Sequence, residues 1–215
     1  MSLQDKLAAI KADFESKAPP EALAIMKRAT RALIDGRQAE SALRAGQVAA
    51  PFTLVDTDGK IHSLSSLLSS GPLVLTFYRG IWCPFCNADL EALETARPAL
   101  ESRGAKLVAI SPQNAVNSRK TVEKLSLGFP LLIDAGGEVA QSFGLRWSLP
   151  ADLRALYTQF GVDLSVFNDD PSWSLPMPAR YVIDRLGMIV YNEINPDYTM
   201  RPDPDVLLPV LDSIG

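Results

Sequence analysis

Two short apolar runs, Leu73-Val74-Leu75-Thr76-Phe77-Tyr78 and Lys106-Leu107-Val108-Ala109-Ile110-Ser111, constrain this chain most, because the stretch between them has helical periodicity. Leu90, Leu93, Ala96 and Leu100 recur at helix spacing over about Pro84 to Ser102, with Pro98 expected to kink the helix. A strand, a crossover helix and a second apolar strand make a βαβ unit, whose two strands run parallel. The alternation continues with a helix near Asn114 to Leu125, a strand at Pro130 to Ile133 and a helix from Glu138 to Phe143. Two hairpins flank this region. Phe52 to Val55 and Ile61 to Leu64 are joined by the turn Asp56-Thr57-Asp58-Gly59; Arg180 to Asp184 and Met188 to Asn192 are joined by Arg185-Leu186-Gly187. The fold class is therefore α/β, with a central mixed sheet flanked by helices. A last helix is expected to begin at Asp203-Pro204, a cap followed by proline at the first helical position, and to supply Val206, Leu207, Val210 and Leu211 to the core.

The first 45 residues read differently. Leu3, Leu7, Ile10 and Phe14 mark an amphipathic helix that Pro19-Pro20 stops, a second helix covers about Glu21 to Ile34, and a short third one covers Arg37 to Leu43. Lys27, Arg28, Arg31, Arg37 and Arg44 read as a solvated helix face. The apolar stripe must pack on the domain that follows or on a partner subunit, which leaves a homodimer open. The expected organisation is a helical N-terminal extension over 1–45 and an α/β domain over 46–215, interrupted by an insertion at about 145–177. Within the insertion Ala151 to Phe160 is helical and Asn168 to Trp173 is not; it is a lid, an interface or a plain surface elaboration.

The only two cysteines stand at the strand-to-helix junction of the βαβ unit, in Cys83-Pro84-Phe85-Cys86. Random placement would give that separation roughly one time in a hundred, so the pair is read as chemical. With Pro84 at the first helical position, both sulfurs fall in the first turn, on one face and within the Cα separation that a disulfide accepts. The unpaired N–H groups and positive end of that helix favour a thiolate. Arg79 is a candidate for added positive charge, against the plainer reading of a surface loop arginine.

Composition excludes several alternatives. A closed zinc site needs four Cys or His ligands, and the chain has two cysteines and the lone His62, read as a half-exposed strand residue; no metal or other cofactor is expected. His62 is also the sole candidate base for a cysteine protease. A net charge of -4 supplies no positive field for nucleic acid or anionic lipid. No run of about 18 apolar residues and no signal-peptide pattern is present, so no membrane contact and a cytoplasmic location are expected. In a reducing cytosol a close cysteine pair is more often redox-catalytic than structural.

The segment Phe77-Tyr78-Arg79-Gly80-Ile81-Trp82-Cys83-Pro84-Phe85-Cys86-Asn87 resembles the active-site stretch of peroxiredoxin-like proteins, in the alkyl hydroperoxide reductase and thiol-specific antioxidant family of thioredoxin-fold proteins. Similar features recur at Phe129 to Asp134, Leu175 to Pro178, Tyr181 to Asp184 and Pro196 to Thr199, and the helical opening resembles that subgroup's N-terminal extension. The resemblance implies a thioredoxin-like fold, with Pro178 at the position of the cis-proline that faces the active site. Laid on the peroxiredoxin signature Pro-x-x-x-Thr-x-x-Cys, the peroxidatic position is Cys86, the threonine position Cys83 and the proline position Arg79. Laid on thioredoxin's Trp-Cys-x-x-Cys, in which Trp82 supplies the tryptophan, the nucleophile is Cys83. The family's usual arginine position is occupied by Pro178, and Arg180, on the same strand face, is a candidate to replace it, against the preferred reading of a strand arginine with no catalytic part.

Two mechanisms follow. As a thiol-dependent peroxidase acting on hydrogen peroxide or organic hydroperoxides, Cys86 attacks the O–O bond, Cys83 resolves the sulfenic acid, and thioredoxin or another small dithiol reduces the disulfide. As a thiol-disulfide oxidoreductase, Cys83 attacks a protein disulfide and Cys86 resolves the mixed disulfide. A third reading is a binding protein on a redox fold with idle cysteines. The expected function is the peroxidase.

Overall fold

The computed structural model describes residues 1–214. The two apolar runs form β3 (Leu73–Phe77) and β4 (Lys106–Ser111), which pair in parallel, and α4 (Pro84–Glu101) crosses between them. Helix α4 continues past Pro98 for three residues. The strands β1 (Thr53–Asp56), β2 (Ile61–Ser63), β5 (Leu131–Ile133), β8 (Ala179–Ile183) and β9 (Ile189–Ile194) complete a seven-stranded sheet of order β2-β1-β5-β4-β3-β8-β9. β3, β4 and β5 are mutually parallel; β1, β2, β8 and β9 join antiparallel. The sheet is mixed, as the βαβ unit between two hairpins predicts.

Strand period sorts the core into two layers. Leu73, Leu75 and Phe77 face one way, with Ile110, Leu132, Tyr181 and Ile183, toward α3 (Leu64–Leu68) and α6 (Glu138–Ser142). Val74 and Tyr78 face the other way and meet α4, including both cysteines. Helix α1 (Leu3–Lys17) lies on that second layer, with Leu3 and Leu7 buried among the α4 side chains. The opening stripe is thus covered by this same chain.

Helix α2 (Pro20–Asp35) is placed by the insertion. There β6 (Arg146–Ser148) and β7 (Ser174–Pro176) pair, and α7 (Ala151–Gln159) and α8 (Leu164–Asn168) lie between them. Ala22 and Ala29 of α2 pack with Leu149, Leu153, Leu156 and Leu164 into a third apolar cluster, so the insertion is no plain surface elaboration. Arg28 reaches Asp152 at 2.6 Å across this junction.

Several local expectations are corrected. His62 is buried rather than half-exposed: its Nε2 lies 2.7 Å from Asp56 Oδ2, which also accepts the Asp58 and Lys60 amides through Oδ1 and so ties the hairpin turn together. The third opening helix is a single 3₁₀ turn, Gln38–Ser41. Asp203 caps no helix of its own with its side chain; its Oδ1 instead accepts the Leu3 amide at 2.6 Å and pins the start of α1. The last helix is a 3₁₀ turn at Pro204–Val206 followed by α9 (Leu207–Asp212); Leu207 and Leu211 are buried, whereas Val206 is exposed. The Met177–Pro178 bond is trans, as are all peptide bonds among the described residues. The extended step from β7 to β8 accommodates the favoured isomer.

Because Leu7 is 2% exposed within the α4 layer, Leu7→Ala should cost about 2–5 kcal/mol in urea unfolding. A loss below about 0.5 kcal/mol, the ordinary size for a surface change, would show that α1 is not docked.

Candidate active site

The site is built where β3 ends. Tyr78 closes the strand with a backbone bond to Ile110, and the chain then turns through Arg79-Gly80-Ile81-Trp82 before α4 begins. Cys83 is the N-cap of α4, its Sγ accepting the Cys86 amide at 3.4 Å, a sulfur doing the work that serine or aspartate usually does. Pro84 occupies the first helical position, where its missing N–H costs nothing. Both cysteines are free thiols and both are buried.

Arg79 is buried at 3% exposure and is no surface residue. Its Nη2 donates to Cys83 Sγ at 3.2 Å and its Nη1 to the Tyr157 hydroxyl at 3.0 Å. The guanidinium lies over the Tyr198 ring at 3.9 Å and the Trp82 ring at 5.0 Å. Trp82 in turn packs edge-on against Tyr157. The cation is bracketed by two rings, a phenol and a sulfur, and of the two cysteines it is Cys83 that its guanidinium hydrogen-bonds.

The two sulfurs are driven apart in acidity. Burial alone would raise both. At Cys83 this is overcome by hydrogen bonding from the Cys86 thiol, by the charge and hydrogen bond of Arg79 and by the Cys86 amide, which hold it well below the usual thiol range. At Cys86, burial acts together with donation to Cys83 and with the Cys83 negative charge, and these push it well up against the partial counterweight of Arg79 and Arg201. The surroundings push Cys83 toward the thiolate and Cys86 toward the thiol.

Cys83 also borders a cleft of about 370 Å³, whereas Cys86 does not line it. Phe14 of α1 and Met26 of α2 form one wall, and Tyr157 and Phe160 the other, with Trp82 and Phe85 beside the sulfur. Phe14 and Phe160 meet edge-on, with centroids 6.3 Å apart, so the opening helices and the insertion touch at this cleft. Pro178 lines a small cavity together with Arg79, Tyr157 and Tyr198.

Arg180 is not brought to this cleft. It is 1% exposed and pairs with Asp89, one turn beyond Cys86 on α4, while Arg201 Nε approaches the same carboxylate at 3.7 Å. Glu193 on β9 belongs to this buried charge group, with burial pushing its carboxyl up to about 7. Removing Arg180 would leave Asp89 with only the longer Arg201 contact, so Arg180→Met should destabilise the protein. Among the described residues no group of His, Cys, Asp or Glu could hold a metal ion.

Tyr157, Tyr198, Asp89 and Arg201 escape the sequence reading. Tyr198 stands in the family-like segment Pro196 to Thr199, and Asp89 is a charge on the otherwise apolar face of α4, so both left a trace. Tyr157 left none, since only packing brings α7 to Arg79.

Iodoacetamide at about pH 6, where an ordinary thiol of pKa about 8.5 barely reacts, should label Cys83 ahead of Cys86 in the reduced protein, as read by mass spectrometry. Cys83 reactivity should be lost only as pH falls through its own lowered pKa. Arg79→Gln should slow Cys83 labelling at that pH by about tenfold or more, each pKa unit being tenfold in thiolate. Unchanged labelling would remove Arg79 as the cause.

The AhpC/TSA family matches residues 45–192, which include both cysteines and every strand but the tip of β9. A chloroplastic peroxiredoxin Q of Triticum aestivum is 31% identical over 155 residues, 71% of this chain and 61% of that protein. A thiol-disulfide oxidoreductase ResA of Geobacillus thermodenitrificans is 27% identical over 107 residues, 49% of this chain and 60% of that protein. The chain thus spans about three-fifths of the length of either relative. The crystal structure of the peroxidoxin BcpB from Mycobacterium tuberculosis superposes with a TM-score of 0.64 at 25% identity, covering 80% of this chain and 99% of that one. The fold is thioredoxin-like, and with a match over most of its length the chain belongs to the AhpC/TSA family.

Proposed function

We propose that the protein is a thiol-dependent peroxidase whose attacking sulfur is Cys83 and whose resolving sulfur is Cys86. The observation that carries this reading is the Arg79 guanidinium, 3.2 Å from Cys83 and bracketed so that its charge serves that sulfur. The peroxidase signature implies the opposite order, with Cys86 attacking. The proposed order is the reverse because Cys83 has the lowered pKa and borders the cleft, whereas Cys86 is pushed toward the thiol and does not line it.

In the first step the Cys83 thiolate attacks the terminal oxygen of a hydroperoxide. The S–O bond forms, the O–O bond breaks, and the leaving alkoxide or hydroxide takes a proton from solvent, giving Cys83 sulfenic acid and an alcohol or water. Arg79 can stabilise negative charge developing on the leaving oxygen, as donors aimed into a water-poor site do. Tyr157 stands beside it with its hydroxyl proton uncommitted to Arg79, from which it accepts. The Cys86 sulfur then attacks the sulfenic sulfur, water leaves, and the disulfide forms between residues three apart. A thioredoxin-type or other small dithiol returns both sulfurs to the thiol state.

The apolar lining of the cleft fits the body of an organic hydroperoxide beside the smaller hydrogen peroxide. Thiol-disulfide exchange remains the second reading, favoured by the same Cys83-first order and by the ResA relative. It is the weaker one, because the peroxiredoxin Q relative matches over 71% of the chain and the ResA relative over 49%. A cytoplasmic location is part of the proposal, since two cysteines three residues apart supply no structural disulfide framework. No helix among the described residues is long and apolar enough to cross a membrane.

Reduced protein should consume cumene hydroperoxide and lose both thiols together. Cys83→Ser should abolish consumption, and Cys86→Ser should give a single turnover with a sulfenic acid that dimedone traps at Cys83. Trapping at Cys86 in Cys83→Ser instead would reverse the roles. Inertness toward peroxide with Cys83-dependent reduction of insulin disulfides would favour the exchange reading.

A further inference from the structure

Arg79 reaches Cys83 only because the four-residue turn between β3 and α4 has one shape, and a residue outside that turn holds the shape. Gln113 lies just after β4, with no exposed surface. Its Oε1 accepts the Ile81 amide at 2.9 Å. Its Nε2 donates to the Tyr78 hydroxyl and to Thr121 Oγ1, both at 2.8 Å. Thr121 passes its own proton to the Asn117 carbonyl at 2.9 Å, so both amide hydrogens and the threonine hydrogen have acceptors. The amide orientation is forced, since Ile81 offers a donor and only the oxygen can face it.

The turn is gripped from the other side as well. The Ile81 carbonyl accepts Asn87 Nδ2 from α4 at 2.8 Å. Gly80 has φ +149, and a Cβ there would stand 2.5 Å from the Trp82 indole nitrogen and 3.2 Å from Gln113 Oε1. The Trp82 indole thus occupies the space that a side chain at Gly80 would need, with Gln113 Oε1 in tight contact beside it. Tyr78, at one end of the turn, and Ile81, inside it, are joined through one carboxamide. Arg79 lies between them.

We propose that Gln113 is a positioning residue for the reactive thiolate: its carboxamide clamps the Tyr78–Ile81 turn in the conformation that delivers the Arg79 guanidinium to Cys83. An ordinary buried glutamine would contribute to stability and leave thiol acidity alone. A clamp makes a different demand, because loosening it moves Arg79 and the Cys83 thiolate loses its partner. The inference rests on the Arg79–Cys83 contact and not on the identity of the oxidant.

The test is the pH dependence of Cys83 alkylation by iodoacetamide, read by mass spectrometry in a Cys86→Ser background, which needs no peroxide and no reductant. Gln113→Leu keeps the bulk and removes all three hydrogen bonds; it should raise the alkylation midpoint by about one pH unit, a roughly tenfold fall in rate below the midpoint. Thr121→Val, which removes one of the amide's anchors, should shift it in the same direction by less, and provides the test should Gln113→Leu fold poorly. In an Arg79→Met background either substitution should produce no further shift, because the effect runs through Arg79. A midpoint unchanged in both variants, or a shift of equal size with and without Arg79, would overturn the proposal. Failure of peroxide consumption with these shifts intact would count against the proposed reaction alone.

Discussion

A guanidinium buried beside a sulfur is the interaction on which the rest of the site depends. Neither partner is comfortable alone: an unpaired buried arginine and an unpaired buried thiolate each carry a desolvation penalty of several kcal/mol. Arg79 Nη2 and Cys83 meet at 3.2 Å, Nη1 donates to the Tyr157 phenol, and the rings of Trp82 and Tyr198 lie against the cation. The start of α4 adds its share, since Cys83 stands at the cap and accepts the Cys86 amide. The asymmetry between the two sulfurs follows, because stabilising charge on Cys83 makes a second charge at Cys86 unfavourable.

The fold can be read as the means of assembling that environment. The parallel pair β3 and β4 sets the turn after Tyr78 beside the turn that carries Gln113. The insertion supplies Tyr157 and Phe160, and the opening helices supply Phe14 and Met26, so segments remote in sequence converge on one sulfur. The Arg28–Asp152 contact, the Phe14–Phe160 contact and the shared apolar cluster all join these two segments. The opening helices, outside the region that the family matches, are thereby part of the site's wall.

How much of this was legible in the sequence depends on the range of the interaction. The βαβ unit, both hairpins and the placement of the cysteines at a helix start were readable, because each rests on local period or turn chemistry. The burial of His62 was not, because it depends on the carboxylate of Asp56 six residues away taking both the turn amides and the ring. Arg79 was visible as a charge near the pair, but its being buried required Tyr198 and Tyr157 from two distant segments. Arg180, attractive by strand alternation, is claimed by Asp89, a pairing that no spacing rule reveals. The proposed order of the sulfurs rests on the same kind of information: motif alignment alone placed the nucleophile at either cysteine, and the Arg79 contact favours Cys83.

The most direct measurement is a pH titration of the reduced protein with both cysteines labelled at ¹³Cβ, which follows each thiol separately and without any reactant. The account predicts that Cys83 ionises first, below the ordinary thiol value of about 8.5, while Cys86 stays protonated above it. A Cys86 resonance that titrates first, or two sulfurs that both ionise near that ordinary value, would contradict it.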